Sequence, residues 1–219
     1  MSSFKDGYAQ IVFMGHFVSV LEEIVSKIFV DFVVVEDKKS ALDVVRFCEK
    51  NMLRYVVVKT FDDIKVAFDN ISHIGLLVVA SFGIILREDL IKKCGHVVNI
   101  HPGDIPNCRG RHPLPCAILN KHKFMAITAH LIDSEKIDCG PIIAKIVIPI
   151  NYRESYRHNE KRLLSNLRHI TSIFLDEYVS GGKITSCSLK NSENGIYYNP
   201  LTSDVLNKVF SDGILGSLE

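Results

Sequence analysis

The stretch Val97-Val98-Asn99-Ile100-His101-Pro102-Gly103 begins as an apolar strand and turns polar at its carboxyl end. In extended backbone successive side chains point to opposite faces, so Asn99 and His101 share one side while Val98 and Ile100 share the other. Pro102 cannot donate to a strand ladder and ends the run behind them. Open α/β sheets bind ligands at the carboxyl ends of their strands. Two readings stand at this point. An amide donor and a titratable imidazole are brought together as a site, or both side chains satisfy backbone groups where the chain leaves the sheet.

Upstream, residues 10–100 alternate short β-branched runs with helical patterns, the signature of βαβ units around a parallel sheet buried on both faces. Strands are expected at 11–14, 31–35, 55–58, 76–80 and 97–100, each nearly continuous in apolar residues. Between them, Val20, Leu21, Ile24, Val25 and Ile28 recur at a 3.6-residue spacing within 17–29 and predict an amphipathic helix. Further helices are expected at 40–51, with Ser40 as N-cap and Asp43 three residues on, and at 62–70. The fold class is therefore α/β: a Rossmann-like, mostly parallel sheet with helices on both faces.

Downstream of Pro102, a Pro/Gly/Arg-rich loop runs to Pro115 and a short helix follows. Alternating segments at 126–132 and 141–149 read as later strands of the same sheet. A long helix is expected over 154–180, with Leu163, Leu164, Leu167, Ile170, Phe174 and Leu175 on its inner face and Gly181-Gly182 as its stop. Its outer face carries Arg153, Arg157, His158, Lys161, Arg162 and Arg168, which read as a solvated face or as a basic groove. Residues 1–182 are expected to form one domain. In 183–219 a small β-hairpin built on Asn194-Gly195 is expected, followed by a helix capped by Thr202 or Ser203 and ending at Phe210.

The 219 residues are 47% hydrophobic and 23% charged, a composition that excludes disorder and collagen-like structure. With 26 Lys plus Arg against 25 Asp plus Glu there is no global basic field, so a nucleic-acid partner is not expected. The longest apolar runs fall short of the about 20 residues a bilayer needs, so no membrane partner is expected. The polar N-terminus lacks a signal-peptide pattern. A cytoplasmic protein is the expectation. Cys48, Cys94, Cys108, Cys116, Cys139 and Cys187 contain no C-x-x-C pair, so reduced thiols and no metal site are expected.

Gly15-His16-Phe17-Val18 lacks the later glycines that bring a pyrophosphate against a helix N-terminus, and no Walker loop, G-x-S-x-G elbow or H-E-x-x-H helix is present. A second polar cluster lies in His130-Leu131-Ile132-Asp133-Ser134-Glu135-Lys136-Ile137-Asp138-Cys139-Gly140-Pro141, a turn between two apolar strands. Asp138 would orient an imidazole and support its protonated form, or it caps the turn before Gly140-Pro141.

The run from Asn99 through Pro113, with Ile127-Thr128-Ala129-His130 and Ile137-Asp138-Cys139-Gly140-Pro141-Ile142-Ile143, resembles the core of the N10-formyltetrahydrofolate-dependent formyltransferases in residues and spacing. The resemblance covers roughly residues 10–180. It implies the formyltransferase fold and formyl transfer to an amine: His101 takes a proton from the attacking amine, Asn99 hydrogen-bonds the developing oxyanion, and Asp138 holds His101. N10-formyltetrahydrofolate is the implied co-substrate, with its pterin along Ser81, Phe82, Gly83, Ile84, Ile85 and Leu86 and near Asp133. Phe82, Ile84 and Ile85 read equally as core. Where family members often carry Thr-Gly before the Ile-Thr strand, this chain has Met125-Ala126.

Three acceptor classes compete. Methionyl-tRNA formyltransferases carry a further C-terminal domain for which the residues after Ser180 are expected to leave no room. Phosphoribosylglycinamide formyltransferases bind the ribose phosphate with a Gly- and Ser-rich first loop, unlike Gly15-His16-Phe17-Val18-Ser19. The His-Pro-Gly motif and the tail are similar to nucleotide-sugar N-formyltransferases of surface-polysaccharide pathways, such as those acting on dTDP-sugars for O-antigen and lipopolysaccharide. The substrate contacts so implied are Gly103, Arg109, Gly110, Arg111, Tyr197 and Tyr198, the arginines for pyrophosphate and the tyrosines for the base. Loop-fixing arginines and a tyrosine-built hairpin core are the structural alternatives. A phosphoribosylglycinamide enzyme and a non-catalytic folate- or nucleotide-binding relative remain as alternatives, and the tail is a candidate homodimer surface.

Overall fold

The computed structural model describes residues 9–185, 195–211, 213 and 215. In chain order its elements are β1 (Gln10–Gly15), α1 (Val18–Lys27), β2 (Phe32–Glu36), α2 (Leu42–Lys50), β3 (Tyr55–Val58), α3 (Phe61–Phe68), β4 (Ile74–Ala80), α4 (Glu88–Ile91), β5 (Cys94–His101), β6 (Arg109–Gly110), α5 (Pro113–Leu119), β7 (Phe124–Leu131), β8 (Ile142–Pro149), α6 (Tyr156–Leu164), α7 (Leu167–Gly181), β9 (Tyr197–Tyr198) and α8 (Ser203–Phe210). Seven strands form one sheet in the order β3-β2-β1-β4-β5-β7-β8, and β6 pairs with β9 separately. The chain divides into two compact units at Val98/Asn99, within β5.

In the first unit β1 pairs in parallel with both β2 and β4, and β2 with β3. The order 3-2-1-4 reverses beside β1, which right-handed crossovers convert into helices on opposite faces of the sheet. The β-branched runs read from the sequence form these strands because central parallel strands are buried on both faces, and Val33, Val34, Leu76, Leu77 and Val78 are all fully buried. Val20, Leu21 and Ile24 form the buried stripe of α1.

Two local expectations are corrected here. Ser40 does not cap a helix: it lies in a 3-10 turn at Lys39–Ala41, and its hydroxyl bonds His16 Nδ1 at 3.1 Å. The helix expected at 62–70 starts at Phe61, because Thr60 accepts the Asp63 N–H and the Asp63 carboxylate accepts the Thr60 N–H, a reciprocal capping box.

In the second unit β7 and β8 pair antiparallel, and α6 and α7 pack on them. The expected single helix over 154–180 is two helices. Ser165 Oγ and Asn166 Nδ2 both donate to the Arg162 carbonyl, an alternative to continuing the backbone ladder, and the chain restarts at Leu167. Gly182, in left-handed conformation, ends α7 as its C-cap. The first arm and the turn residue Asn194 of the expected hairpin lie outside the described residues, and Tyr197–Tyr198 pairs in parallel with Arg109–Gly110. Thr202 precedes α8 without a side-chain cap bond.

Phe174 is fully buried on α7, the helix that covers β7 and β8. Phe174→Ala is expected to destabilise the chain by about 3–5 kcal/mol, read as a lower urea midpoint at unchanged slope. A loss below about 1 kcal/mol would place this ring outside the core.

Candidate active site

The expected catalytic side chains all lie in the second unit, at the carboxyl end of β5 and in the turn between β7 and β8. Asn99 and His101 leave β5 on one side, as the period of two requires. His101 is 6% exposed; its Nε2–H donates to the Cys108 carbonyl at 2.8 Å, and its Nδ1 lies 3.5 Å from Asp138 Oδ2. This approach needs a glycine at 103, because a Cβ there would come within 2.3 Å of His101 Nε2 and 2.7 Å of the Cys108 oxygen. Thr128 Oγ1 donates to the Gly103 carbonyl at 2.7 Å and fixes the same bend.

Asp138 is buried in left-handed backbone, φ 51°, a region that aspartate tolerates better than most side chains. The turn behind it closes through Gly140, where a Cβ would meet the Leu131 carbonyl oxygen at 1.7 Å. The Gly110 N–H donates to Asp138 Oδ2 at 2.9 Å, and Asn99 Nδ2 donates to Asp138 Oδ1 at 3.2 Å. His130, 1% exposed on β7, completes the set: its Nε2 is 3.4 Å from Asp138 Oδ1 and 3.0 Å from Asn99 Nδ2, and its Nδ1–H donates to the Leu131 carbonyl. The sequence contained His130 within a motif but attached no role to it; its position in a Thr-x-His alternation facing Asn99 was the available signal.

Burial pushes the Asp138 carboxyl up, but the adjacent His101 and His130 rings and the Gly110 N–H outweigh it and hold the group well below the ordinary carboxylate range. Burial holds the His101 imidazole below its ordinary value, against the opposing pull of Asp138 and the Cys108 carbonyl. The arrangement is thus a buried carboxylate charge beside a neutral imidazole with an acceptor on each of its ring nitrogens. Such a pair stores a proton at His101 Nδ1 when one is delivered. Both amide hydrogens of Asn99 are engaged, one by His130 and one by Asp138.

The other expected contacts are distributed as follows. Arg109 donates from Nη1 to Cys139 Sγ at 2.6 Å and from Nη2 to the Gly195 carbonyl at 2.7 Å, so its guanidinium ties protein segments together. Arg111 is exposed. Tyr197 is 43% exposed and Tyr198 half-buried. Asp133 is exposed and accepts from Ser134 Oγ. In the first unit Ser81 has φ 59°, Phe82 and Ile84 are half-buried, Ile85 is 55% exposed and Leu86 is buried. The Gly83 N–H donates to the buried Glu36 carboxylate at 2.6 Å. Met125 and Ala126 are both buried on β7. Among the described residues no group of three or more His, Cys, Asp or Glu side chains is arranged to hold a metal, and no helix is long and apolar enough to cross a membrane.

Comparison with known proteins places the chain in a family. Residues 32–172 match the model of the formyl transferase family. Formyltetrahydrofolate deformylase 2 of Arabidopsis thaliana is 30% identical over 118 residues, which cover 52% of this chain and 36% of that protein. The chain spans about a third of the length of the curated relatives it matches, methionyl-tRNA formyltransferases among them. The solved structure of WlaRD, a sugar 3N-formyl transferase determined with dTDP and 5-N-formyl-THF, superimposes with a TM-score of 0.69 at 21% identity, covering 88% of this chain and 70% of that one. Phosphoribosylglycinamide formyltransferase of Bacillus halodurans superimposes with a TM-score of 0.68 at 18% identity, covering 80% and 97%. At these identities the structures speak for the fold, and the sequence match speaks for descent: the chain belongs to the formyl transferase family.

Proposed function

We propose that this protein transfers a formyl group from N10-formyltetrahydrofolate to the amino group of a nucleotide-linked amino-dideoxy sugar. The observation that carries the formyl-transfer reading is the Asn99, His101 and Asp138 constellation at the end of β5, closed by His130. The donor supplies an activated one-carbon acyl group. The second unit's donor set fits such a co-substrate: an amide for a carbonyl oxygen and a buried base for an amine proton.

In the resting chain both amide hydrogens of Asn99 are engaged, so an incoming carbonyl must exchange a bond there. Asn99 turns an amide hydrogen from His130 to the oxygen that becomes negative. As the amine attacks the formyl carbon its proton goes to His101 Nδ1, supported by the Asp138 carboxylate 3.5 Å away; when the tetrahedral intermediate collapses the C–N10 bond breaks and that proton passes to N10 of the released tetrahydrofolate. His101 keeps its Nε2–H on the Cys108 carbonyl throughout, which fixes the ring and the tautomer.

For the acceptor, the sugar reading is supported by the His-Pro-Gly form of the motif and by the fold match to a sugar 3N-formyl transferase at a TM-score of 0.69. Phosphoribosylglycinamide is the second reading, favoured by the near-complete coverage of that enzyme's structure. The loop after β1 argues against it, since Gly15-His16-Phe17-Val18-Ser19 lacks the run of glycine and serine whose backbone donors cradle a phosphate.

Tetrahydrofolate release, followed by absorbance with a panel of nucleotide-linked amino sugars and with phosphoribosylglycinamide, tests both. Turnover with a nucleotide-linked sugar is expected. Turnover with phosphoribosylglycinamide alone would overturn the acceptor, and turnover with none would overturn formyl transfer. His101→Ala and Asp138→Ala are each expected to lower kcat by about a hundredfold or more with the circular dichroism of the fold retained; undiminished turnover in either would remove its role.

The depressed imidazole also has a thermodynamic signature. A histidine held below its ordinary value of 6.5 stabilises the fold fully above that pH, and the contribution is lost as pH falls toward its folded-state value. Asp138 contributes down to the ordinary carboxylate range and loses its effect only below about pH 4. Urea stability is therefore expected to fall between pH 7 and 5, with a smaller fall in His101→Gln; His16 and His112, also lowered by burial, retain the remainder. An identical fall in the variant would mean that His101 is already charged when folded and has no capacity to accept a proton.

A further inference from the structure

Two of the backbone bonds that hold the candidate acid–base pair come from one short loop. The Cys108 carbonyl holds His101 Nε2, and two residues later the Gly110 N–H holds Asp138 Oδ2. The opposite edge of this loop is gripped by the chain's C-terminal segment. The Ile196 N–H donates to the Pro106 carbonyl at 2.9 Å, the Arg109 N–H donates to the Ile196 carbonyl at 3.0 Å, and the Leu201 N–H reaches His112 Nδ1 at 3.2 Å. Tyr197 and Tyr198 pair with Arg109 and Gly110 as β9 on β6. Gly195 passes so close to Pro106 that a Cβ would lie 2.3 Å from its carbonyl oxygen.

Arg109 joins three segments. One guanidinium nitrogen holds the Gly195 carbonyl, the other holds Sγ of Cys139, the residue after Asp138, and Cys139 Sγ in turn donates to the Ile137 carbonyl. A planar fork with two directed donors makes both contacts at once, and a lysine ammonium on its flexible stem cannot hold the same geometry. The tail residues lie beyond 172, where the match to the family ends.

We propose that Arg109 and the tail strand 195–198 are positioning elements that hold the Cys108 carbonyl and the Gly110 N–H on His101 and Asp138, so that the catalytic pair is aligned by a segment outside the family's conserved domain. The inference rests on the formyl-transfer reading for its effect on turnover, but not for its structural content. It assigns the Arg109 guanidinium to protein contacts rather than to a substrate pyrophosphate.

The test uses the full chain labelled with 15N-histidine, whose nine ring systems are read by long-range 1H–15N correlation, with His101→Gln identifying the His101 signals. In the unmodified chain His101 is expected as a fixed Nε2–H tautomer. In Arg109→Gln it is expected to move to the averaged pattern of an unrestrained imidazole, with kcat lowered about tenfold or more and KM for the formyl donor unchanged within about twofold. Cys139→Ala, which removes one anchor and keeps the side chain small, is expected to give a weaker change in the same direction and serves if Arg109→Gln does not fold. Phe210→Ala loosens the tail elsewhere, at its ring contact with Tyr156, and is expected to lower stability without altering the His101 signals. Unaltered His101 signals in both Arg109→Gln and Cys139→Ala, or an equal change in Phe210→Ala, would overturn the proposal. The spectra report on the clamp even if no amine is formylated, so a failure of the activity assay is distinguishable from a failure of this inference.

Discussion

A carboxylate taken out of water must be surrounded by donors or give up its charge, and Asp138 is the place where this chain meets that demand. An unpaired buried carboxylate costs several kcal/mol even after relaxation. Here the donors come from separate parts of the second unit, Asn99 at the end of β5 and Gly110 in the loop that follows, with the His101 and His130 rings 3.5 and 3.4 Å from the carboxylate oxygens. Asn99 and Gly110 lie 39 and 28 residues from Asp138 in sequence. The glycines at 103 and 140 follow from the same demand, since each lets backbone pass where a methyl group would push the imidazole or the Leu131 carbonyl away. The charge therefore dictates the course of the backbone around it.

The network also limits what the site does at rest. His130 donates from Nδ1 to its neighbouring carbonyl, so in the neutral ring Nε2 is an acceptor, and Asn99 is the group that satisfies it. The second amide hydrogen of Asn99 goes to Asp138, and His101 has an acceptor at each nitrogen. With both of its amide hydrogens engaged, Asn99 offers an incoming carbonyl nothing unless that carbonyl replaces a bond of equal quality. Selectivity for a correctly placed acceptor follows directly. A molecule that breaks the Asn99–His130 bond without presenting an oxygen to the freed hydrogen leaves a buried donor unpaired.

What the sequence made legible was whatever a local period encodes. The continuous apolar runs became central strands because burial on both faces admits no other residues, and the 3.6-residue stripe of α1 became its buried face. The alternation of Asn99 and His101 set them on one side of a strand end. Competition between side-chain and backbone hydrogen bonds was much harder to read. The apolar stripe from Leu163 to Leu175 runs through Ser165 and Asn166 without a change of period, yet their side chains take the Arg162 carbonyl and split the helix. Ser40 looked like a cap by type, but its hydroxyl found His16 from another loop instead.

The least legible part of the site is the pairing of two residues with two others 88 positions away, Arg109 with Tyr197 and Gly110 with Tyr198. A two-residue strand has no period, and the Asn194-Gly195 dipeptide pointed to a partner adjacent in sequence. A strand this short contributes little by itself, because two ladder bonds do not offset the entropy of ordering the segment. It persists through the backbone and guanidinium bonds around it, which run to Pro106, Ile196, Gly195 and Cys139. Those bonds depend on tertiary placement of backbone groups, which residue type does not encode. Arginine at 109 was open to two readings in sequence, a ligand for phosphate or a fixer of loops, and only the positions of two distant acceptors, a carbonyl and a sulfur, distinguish them.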